Sequence, residues 1–213
     1  MRMEGKSYSD ILDKVRVSKS TLSRWLQEIP LSPDAIKKLN SVKIMKIERY
    51  RNTMNRQREE KLRNYYENAK NTIFPLSPKE LYIAGLFLYW GEGSKTVRHT
   101  VSINNTDPSV LQFTIKWYLQ SLKITRNKIK VMLHLYSDMN KNKEMIYWSK
   151  ILKIPLNQFL NPYIKQSLRS GLNQKSFGHG TCGLMVYDTV VKEKILMALK
   201  AISNQSRKER LFI

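Results

Sequence analysis

The chain has 213 residues, with 38 Lys and Arg against 17 Asp and Glu, and its formal net charge is +21. Self-repulsion of this size does nothing for folding, but it attracts a polyanion, either nucleic acid or an anionic membrane surface. Because the sequence has no run of 18 apolar residues and no apolar leader, we expect a soluble cytoplasmic protein without a membrane span. Cys182 is the only cysteine, which excludes an intrachain disulfide.

Residues 1–31 are predicted to form a small helical unit. Ser7 followed by Asp10 is typical of a capping box at the start of a helix. A second helix is expected to begin after Ser18 and to cover residues 19–27. Apolar side chains recur at helical spacing in both segments, so the two helices can pack together through Ile11, Leu12, Val15, Leu22, Trp25 and Leu26.

The string that begins at Val17, Val-Ser-Lys-Ser-Thr-Leu-Ser-Arg-Trp-Leu, resembles the recognition half of helix-turn-helix DNA-binding domains. The resemblance implies that this helix enters the major groove, where short polar and long basic side chains contact base edges. Arg16 stands near the place of the usual turn glycine, and a positive φ there would cost about 1 kcal/mol. An ordinary helical hairpin is the alternative. The candidate base-contacting residues are Lys19, Ser20, Thr21, Ser23 and Arg24.

Residues 32–74 are predicted to form a basic linker helix. The Ser-Pro-Asp sequence that begins at Ser32 is a typical helix start, and apolar side chains that could bury one face follow at Ala35, Leu39 and Val42. Residues 49–61 are polar on all sides, which is typical of a helix that bridges solvent or lies on a charged partner. About 40 helical residues would span roughly 60 Å. The segment is either an arm that follows DNA phosphates or a solvated linker or short coiled coil.

Residues 75–213 are predicted to form an α+β domain with the element order αβαβαββα. Helices are expected at 78–91, 108–122, 143–152 and 190–202, and strands at 100–104, 128–136, 160–166 and 181–187, before a basic tail from Arg207. The 128–136 strand alternates cleanly, so one face should be buried and the other should be basic and aromatic. The buried face is Ile129, Val131, Leu133 and Leu135, and the outer face is Lys128, Lys130, Met132, His134 and Tyr136.

The helix at residues 78–91 carries the candidate chemistry. It is apolar all round, so we expect it to be buried on every side. One helical stripe holds Gly85, Leu88, Tyr89 and Glu92, and small residues beside it would let two such helices approach closely. The helix dipole disfavours an acid at the C-terminal end, so Glu92 needs a cation. A divalent metal such as Mg2+ suits an oxygen ligand, although Glu92 could also simply end a buried helix.

The segment that begins at Ile83, Ile-Ala-Gly-Leu-Phe-Leu-Tyr-Trp-Gly-Glu-Gly-Ser, resembles the signature helix of the LAGLIDADG homing endonucleases. Its Gly91-Glu92-Gly93 matches the close of that motif, whereas Phe87 stands where the motif has its packing glycine. The resemblance implies a homodimer that cuts double-stranded DNA with Mg2+, with Glu92 as the catalytic residue and Glu92 and Gly91 as metal ligands. The further DNA-binding candidates are Lys95, Arg98, Lys128, Lys130 and His134.

Two other functions stay open at this point. One is a DNA-binding regulator on a degenerate LAGLIDADG-like fold, although degenerate members lose the acid and Glu92 is present. The other is a recombinase accessory or an RNA-binding maturase, although the helix-turn-helix favours duplex DNA. His99, His134 and His179 have no metal-ligand spacing, and Cys182 with a histidine would lack a third orienting group. The whole layout is similar to a family of bacterial and phage proteins, which implies a place of action at the nucleoid.

Overall fold

The computed structural model of the chain describes residues 1–39, 42–166 and 178–209, without the side chains of Lys43 and residues 206–209. The chain divides into two compact units, Met1–Phe74 and Pro75–Ile213, called here the N-terminal unit and the C-terminal unit. Within the described ranges, no helix is both long enough and apolar enough to cross a membrane.

The described part of the N-terminal unit is helical. Helix α1 spans Tyr8–Leu12, α2 spans Lys19–Leu26, α3 spans Pro33–Lys37 and α4 spans Val42–Ile73. A serine precedes each of the first three helices, and its hydroxyl accepts a hydrogen bond from the backbone N–H three residues on. Ser7 and Asp10 form the predicted capping box, and Ser18 is the predicted N-cap of α2.

A small apolar core joins α1 and α2. Tyr8, Ile11 and Leu22 are buried in it, and the side chains packed against it are Leu12, Val15, Val17 and Leu26. The sequence predicts that Trp25 also packs here, but its side chain is 58% exposed, so that prediction is wrong. Leu22 and Leu26 lie one turn apart and face the core together, which leaves Trp25 at the edge of the apolar stripe.

The turn between α1 and α2 needs no glycine. Among the described residues other than glycine, a positive φ occurs at Lys123 and Lys153. Arg16, near the place of the usual turn glycine, therefore avoids the left-handed region, and the cost considered for it does not arise. The connection is closed by backbone hydrogen bonds, one of them from the N–H of Val17 to the carbonyl of Val15 at 2.8 Å.

A buried ion pair holds the start of α4 to the rest of the N-terminal unit. Glu48 is fully buried and accepts hydrogen bonds from both terminal nitrogens of Arg2, at 2.8 and 3.3 Å. A nitrogen of Arg51 donates to the same carboxylate at 3.0 Å. Both guanidinium groups also lie over the ring of Tyr8, at 4.6 Å and 3.8 Å from its centroid.

Helix α4 consequently has a docked half and an exposed half. In the docked half, the side-chain amides of Asn52 and Asn55 donate hydrogen bonds to the carbonyls of Leu31 and Gln27. Residues 56–73 are all exposed. Residues 49–61 are predicted to bridge solvent or to lie on a charged partner, but the beginning of that range contacts its own unit, because polar contacts there replace an apolar face.

The linker differs from the single helix that the sequence predicts. Helix α3 ends at Lys37, and α4 begins at Val42 and has 32 residues, which makes it about 48 Å long. Val42 was predicted to be buried, but its side chain is 68% exposed. Ile36 of α3 is buried instead, with 3% of its side chain exposed.

The described part of the C-terminal unit alternates helices and strands. Its helices are α5 (Pro78–Glu92), α6 (Pro108–Gln120), α7 (Lys141–Leu152) and α8 (Thr189–Glu209), and its strands are β1 (Thr100–Asn105), β2 (Lys130–Tyr136), β3 (Tyr163–Lys165) and β4 (Thr181–Tyr187). Two short 3-10 turns span Arg126–Lys128 and Leu156–Gln158. This order agrees with the predicted succession of helices and strands, and the unit is α+β.

The strands form one mixed sheet in the order β1-β4-β2-β3. Strand β4 runs antiparallel to both β1 and β2, whereas β3 runs parallel to β2. One face of the sheet is buried against the helices, and the predicted Val131, Leu133 and Leu135 of β2, with Ile129 just before the strand, are all at 0% exposure. Trp117 and Tyr118 of α6 and Trp148 of α7 fill the same core.

The ends of several elements differ from the prediction. Lys128 lies in a 3-10 turn and not on the strand, because β2 begins at Lys130. Strand β3 is shorter than predicted, and α8 extends to Glu209. The predicted basic tail from Arg207 is therefore helical as far as residue 209, and its remainder lies outside the described residues.

Candidate nucleic-acid interface

Helix α2 presents the predicted recognition residues. The hydroxyl of Ser18 accepts a hydrogen bond from the N–H of Thr21 at 3.1 Å and is bonded to the hydroxyls of Ser20 and Thr21 at 2.9 and 2.8 Å. The hydroxyls of Ser20 and Thr21 are thus engaged in the cap. They can reach a base edge only by exchanging those bonds, which makes them weaker candidates than the sequence suggests.

The remaining recognition candidates have no such internal bonds. Lys19, Ser23 and Arg24 are exposed, and none of their side chains makes a hydrogen bond or ion pair with another described residue. Arg24 lies two residues after Leu22, which turns it to the opposite side of the helix from the core. Lys19 and Arg24 are therefore the long basic side chains that α2 offers to a groove.

Helix α5 is not buried on every side, which corrects the prediction from its composition. Ile83, Phe87 and Trp90 lie along one face and are 37%, 52% and 40% exposed. The rings of Phe87 and Trp90 stack with their centroids 5.8 Å apart. Apolar composition identifies a helix that is covered on most sides, but it does not say whether the last side is covered by the same chain.

The predicted helix-packing stripe faces the core of its own unit. Gly85 is buried, and a Cβ added there would collide with the indole of Trp117 on α6. Tyr89 is fully buried as well. The small residue at position 85 thus serves α5–α6 packing, and a second chain would have to approach the Ile83, Phe87 and Trp90 face instead.

Glu92 is the last residue of α5, as predicted. Its side chain is exposed and makes no hydrogen bond or ion pair with another described residue. Gly91 is exposed too, and a Cβ there would meet no atom within 4 Å. By contrast, a Cβ at Gly93 would collide with the ring and carbonyl of Tyr89. The fold itself requires glycine at position 93 but not at position 91.

Two lysines occupy the C-terminal end of α5. Lys95 Nζ donates to the carbonyl of Trp90 at 2.6 Å. Lys192 of α8 is fully buried, and its Nζ donates to the hydroxyl of Tyr89 at 2.5 Å and to the carbonyl of Ser94. Burial and, to a smaller extent, the charge of Lys95 lower the pKa of Lys192. These ammonium groups compensate the negative end of the helix dipole. The sequence analysis assigns that role to a metal ion.

One chain does not assemble a metal site from its described residues. No three His, Cys, Asp or Glu side chains in those ranges lie close enough to hold an ion together. Glu92 supplies one carboxylate, and Gly91 can add only its backbone carbonyl. Mg2+ needs six oxygen ligands in near-octahedral geometry, so the remaining ligands would have to be water, a second chain or DNA phosphates.

The second face of the sheet carries the predicted basic and aromatic residues of β2. Lys130, Met132, His134 and Tyr136 are all half-buried and alternate with the core positions. Partial burial and, to a smaller extent, the nearby charge of Lys165 lower the pKa of His134, which disfavours protonation of the imidazole. Lys128 lies outside this row, in the turn before the strand, where it is exposed.

Asn104 on β1 is a polar residue of this face that the sequence analysis does not single out. It lies opposite Gly183 of β4, which in turn lies opposite Met132 of β2. A Cβ at Gly183 would collide with the side-chain oxygen of Asn104, so the amide lies across the glycine. Carboxamides recognise base edges, and the cue in the sequence was a glycine inside an apolar strand.

The other predicted residues lie apart from this face or make surface contacts. Arg98 is exposed and lies 3.6 Å from Glu193 of α8, an exposed pair of small energetic value. His179 is held by Glu144, whose Oε2 is 2.6 Å from Nδ1, and by the ring of Tyr147, which stacks on it. A structural role for His179 was not predicted, because Glu144 lies 35 residues away in the sequence.

Comparisons with known proteins add no identification. No family model, no curated protein and no solved structure matches this chain. The resemblance to LAGLIDADG endonucleases therefore rests on the motif and on the order of the elements.

Proposed function

We propose that the chain is a site-specific DNA-binding protein that acts as a homodimeric, metal-dependent endonuclease of the homing type on a LAGLIDADG-like fold. Two features support DNA binding. Lys19 and Arg24 extend from an exposed face of α2 without internal partners. The second sheet face, which carries Lys130, His134 and Asn104, combines positive charge with groups that recognise base edges.

The observation that carries the endonuclease proposal is the position of Glu92. An unpaired, exposed acid ends a helix whose outer face, formed by Ile83, Phe87 and Trp90, is apolar and exposed. Packing two copies of that face about a two-fold axis would cover the apolar side chains. Glu92 lies on the other side of the helix from that face, so the two carboxylates would have to meet around the C-terminal ends of the helices, where the open space at Gly91 would allow a close approach of the backbones.

In such a dimer the metal ligands would be the two Glu92 carboxylates and the carbonyls of Gly91, oxygen donors of the kind that Mg2+ prefers. When bound, Mg2+ would stabilise negative charge on the attacking and leaving oxygens of a phosphodiester. The chain's own contribution is to hold Glu92 at a fixed helix end. Gly93 packed on Tyr89 and the Lys192 bonds to Tyr89 and Ser94 keep that end in place.

A DNA-binding regulator on the same fold is the second candidate function. It is favoured by the two lysines at the end of α5, because Lys95 and Lys192 already compensate the helix dipole without a metal. Both candidates bind duplex DNA and differ only in the role of Glu92.

A plasmid-library cleavage assay with Mg2+ or Mn2+ separates the two candidates. Wild type should bind DNA as a dimer and cut members of the library. Glu92→Gln keeps the size of the side chain but removes its charge, so it should abolish cutting and leave DNA binding and dimerisation unchanged. Glu193→Gln is the matched control, because it removes an exposed acid from the same unit and should cut like wild type.

Other outcomes assign the function differently. If the wild type binds DNA as a dimer and cuts nothing with either metal, the protein is a regulator. If it is monomeric on DNA, the paired Glu92 mechanism is wrong. If Glu92→Gln cuts as well as wild type, another residue carries the reaction.

A further inference from the structure

The edge of the sheet formed by β2 and β3 holds two cross-strand pairs, one of two aromatic rings and one of a tyrosine with a lysine. His134 lies opposite Tyr163, with ring centroids 5.7 Å apart and planes tilted by 56°. Tyr136 lies opposite Lys165, whose Nζ is 5.3 Å from the centre of the tyrosine ring. We call these four residues the aromatic corner. All four point to the second face of the sheet, because strand residues two apart share a face.

Packing within the unit does not account for the aromatic corner. Tyr163 is 59% exposed, and every residue of β3 is exposed. A tyrosine on the outer face of an edge strand gains little from the core, so an exposed ring there is free to stack on something else. The ring of His134 contacts that of Tyr163 in a tilted geometry, and Tyr163 stays mostly exposed beside it.

The charge around the corner identifies a polyanion as the occupant. Lys165 is part of the corner, and Lys130 lies on the same face of β2. From residue 75 onward the chain has 21 Lys and Arg against eight Asp and Glu. A phosphate backbone complements this charge, whereas an apolar protein surface or a neutral ligand does not.

The aromatic residues further restrict the kind of nucleic acid that fits the corner. Readers of duplex DNA contact base edges with Arg, Lys, Asn, Gln, Ser and Thr, because stacked bases do not expose their faces. Tyrosine and histidine rings instead stack on bases that are unpaired, in single strands, bulges or flipped positions. The aromatic corner has two tyrosines and a histidine, and Lys165 is its only ammonium donor.

We propose that the aromatic corner binds an unpaired nucleotide, with its base stacked on Tyr163 and its phosphate held by Lys165. This proposal rests on the proposed function only in placing nucleic acid on this face of the sheet. It goes further in that the DNA bound there would be single-stranded or locally opened, whereas α2 would hold duplex.

Fluorescence anisotropy with the full chain tests the proposal. The probes are a labelled 12-nucleotide oligothymidylate and a blunt hairpin duplex. Stacking of one base on an aromatic ring is worth roughly a five- to hundredfold change in affinity, so Tyr163→Leu should weaken oligothymidylate binding by that factor. Tyr163→Phe keeps the ring and should bind like wild type. Hairpin binding should change less than twofold in both variants.

Tyr66→Leu is the matched control, since Tyr66 is an exposed tyrosine, at 65%, on α4 of the N-terminal unit. It should leave oligothymidylate binding unchanged. Photocrosslinking of wild type to 5-iodouracil in the same oligonucleotide provides a measurement that does not depend on a variant being folded. The crosslinked peptide found by mass spectrometry should contain Tyr163 or His134.

The other outcomes distinguish a failure of the stacking proposal from a failure of the proposed function. Equal losses for oligothymidylate and hairpin in Tyr163→Leu would show that the corner holds duplex, which leaves the proposed function intact. Equal losses in Tyr66→Leu and Tyr163→Leu, or crosslinks only to other peptides, would show that stacking is not localised at the corner. Wild type that binds oligothymidylate through Tyr163 but no duplex would sustain this proposal while removing the proposed function.

Discussion

The two units of this chain are stabilised in different ways. Among the described residues of the N-terminal unit, the apolar cluster between α1 and α2 has three buried side chains, Tyr8, Ile11 and Leu22, and the buried Arg2–Glu48 pair holds α4 to it. The C-terminal unit has a continuous core under its sheet, in which strand residues of β1, β2 and β4 are completely buried. Apolar burial grows with size, so a small helical unit depends more on individual polar contacts.

This difference means that the stability of the N-terminal unit depends more on single polar residues. The stability of the C-terminal unit depends more on how well the side chains fill its core. A buried ion pair whose partner is removed leaves an uncompensated charge, which costs more than the pair contributed. A close-packed core responds instead to changes of volume. Substitutions of each kind can therefore test the comparison.

The largest effect is expected from Glu48→Gln. Without the carboxylate, the guanidinium of Arg2, which is 6% exposed, has no counter-charge, and the N-terminal unit should lose about 3–5 kcal/mol of stability. Hydrogen–deuterium exchange read by mass spectrometry follows each unit separately, and exchange should increase in α1, α2 and the start of α4 only. Glu59→Gln, an exposed acid on the same helix, is the control and should have no effect. Unchanged exchange in Glu48→Gln would mean that the small apolar core is sufficient.

A smaller effect is expected from Gly85→Ala in the C-terminal unit. The added methyl group collides with Trp117, so the unit should be destabilised by about 1–3 kcal/mol in thermal unfolding. Gly91→Ala is the matched variant on the same helix. Nothing occupies the space of its Cβ, so the gain in helix propensity should leave the single chain neutral or up to about 1 kcal/mol more stable.

The same pair of variants examines the proposed dimer. If two α5 helices approach closely at Gly91, Gly91→Ala should weaken dimerisation in sedimentation experiments although it does not destabilise the single chain. If the Gly91→Ala protein dimerises with wild-type affinity, the dimer contact lies elsewhere on the chain. A Gly85→Ala protein as stable as wild type would contradict the tight α5–α6 contact itself.

The sequence predicts the C-terminal unit better than the N-terminal one, for a physical reason. Alternation along β2 is a local signal, and so are Ser77 and Asp107, the N-cap residues of α5 and α6. The structure has the strand and both helix starts close to their predicted places. The Arg2–Glu48 pair joins residues 46 positions apart and has no periodicity. Such pairs can be found only once the helices are placed.

The candidate site was predictable in its residues but only partly in its environment. Glu92 was correctly placed at a helix end, because the Gly-Glu-Gly string is a local signal. The role of Lys192 could not be foreseen, since it reaches that helix end from α8, nearly 100 positions later. The exposed face of α5 was missed for a related reason. Composition does not distinguish apolar residues that the same chain covers from apolar residues that a second chain would cover.

The smallest expected effect is a pH dependence that tells which unit holds nucleic acid. All three histidines lie after residue 74, so the N-terminal unit has no side chain with an ordinary pKa near 6.5. In the free protein, partial burial and Lys165 lower the pKa of His134. A phosphate bound beside the ring would raise that pKa, so the complex would take up a proton that the free protein does not hold.

The sign of the effect follows from this difference. Affinity should rise as the pH falls from 7.5 towards 5.5, by at most about tenfold per pH unit for one proton. Stability of the free protein should move the other way, because an unfolded histidine binds a proton below about pH 6.5 while native His134 resists it. Both trends are measurable, by anisotropy with a labelled oligonucleotide and by thermal unfolding over the same buffers.

His134→Gln should remove most of the pH dependence of binding, whereas His99→Gln should retain it. The glutamine keeps hydrogen-bonding capacity at position 134 but cannot take up a proton. If wild-type affinity is constant over this pH range, no histidine lies near a phosphate, and binding is confined to surfaces without histidines, among them α2. That result would exclude nucleic acid from the second face of the sheet beside His134 and leave α2 as a candidate surface.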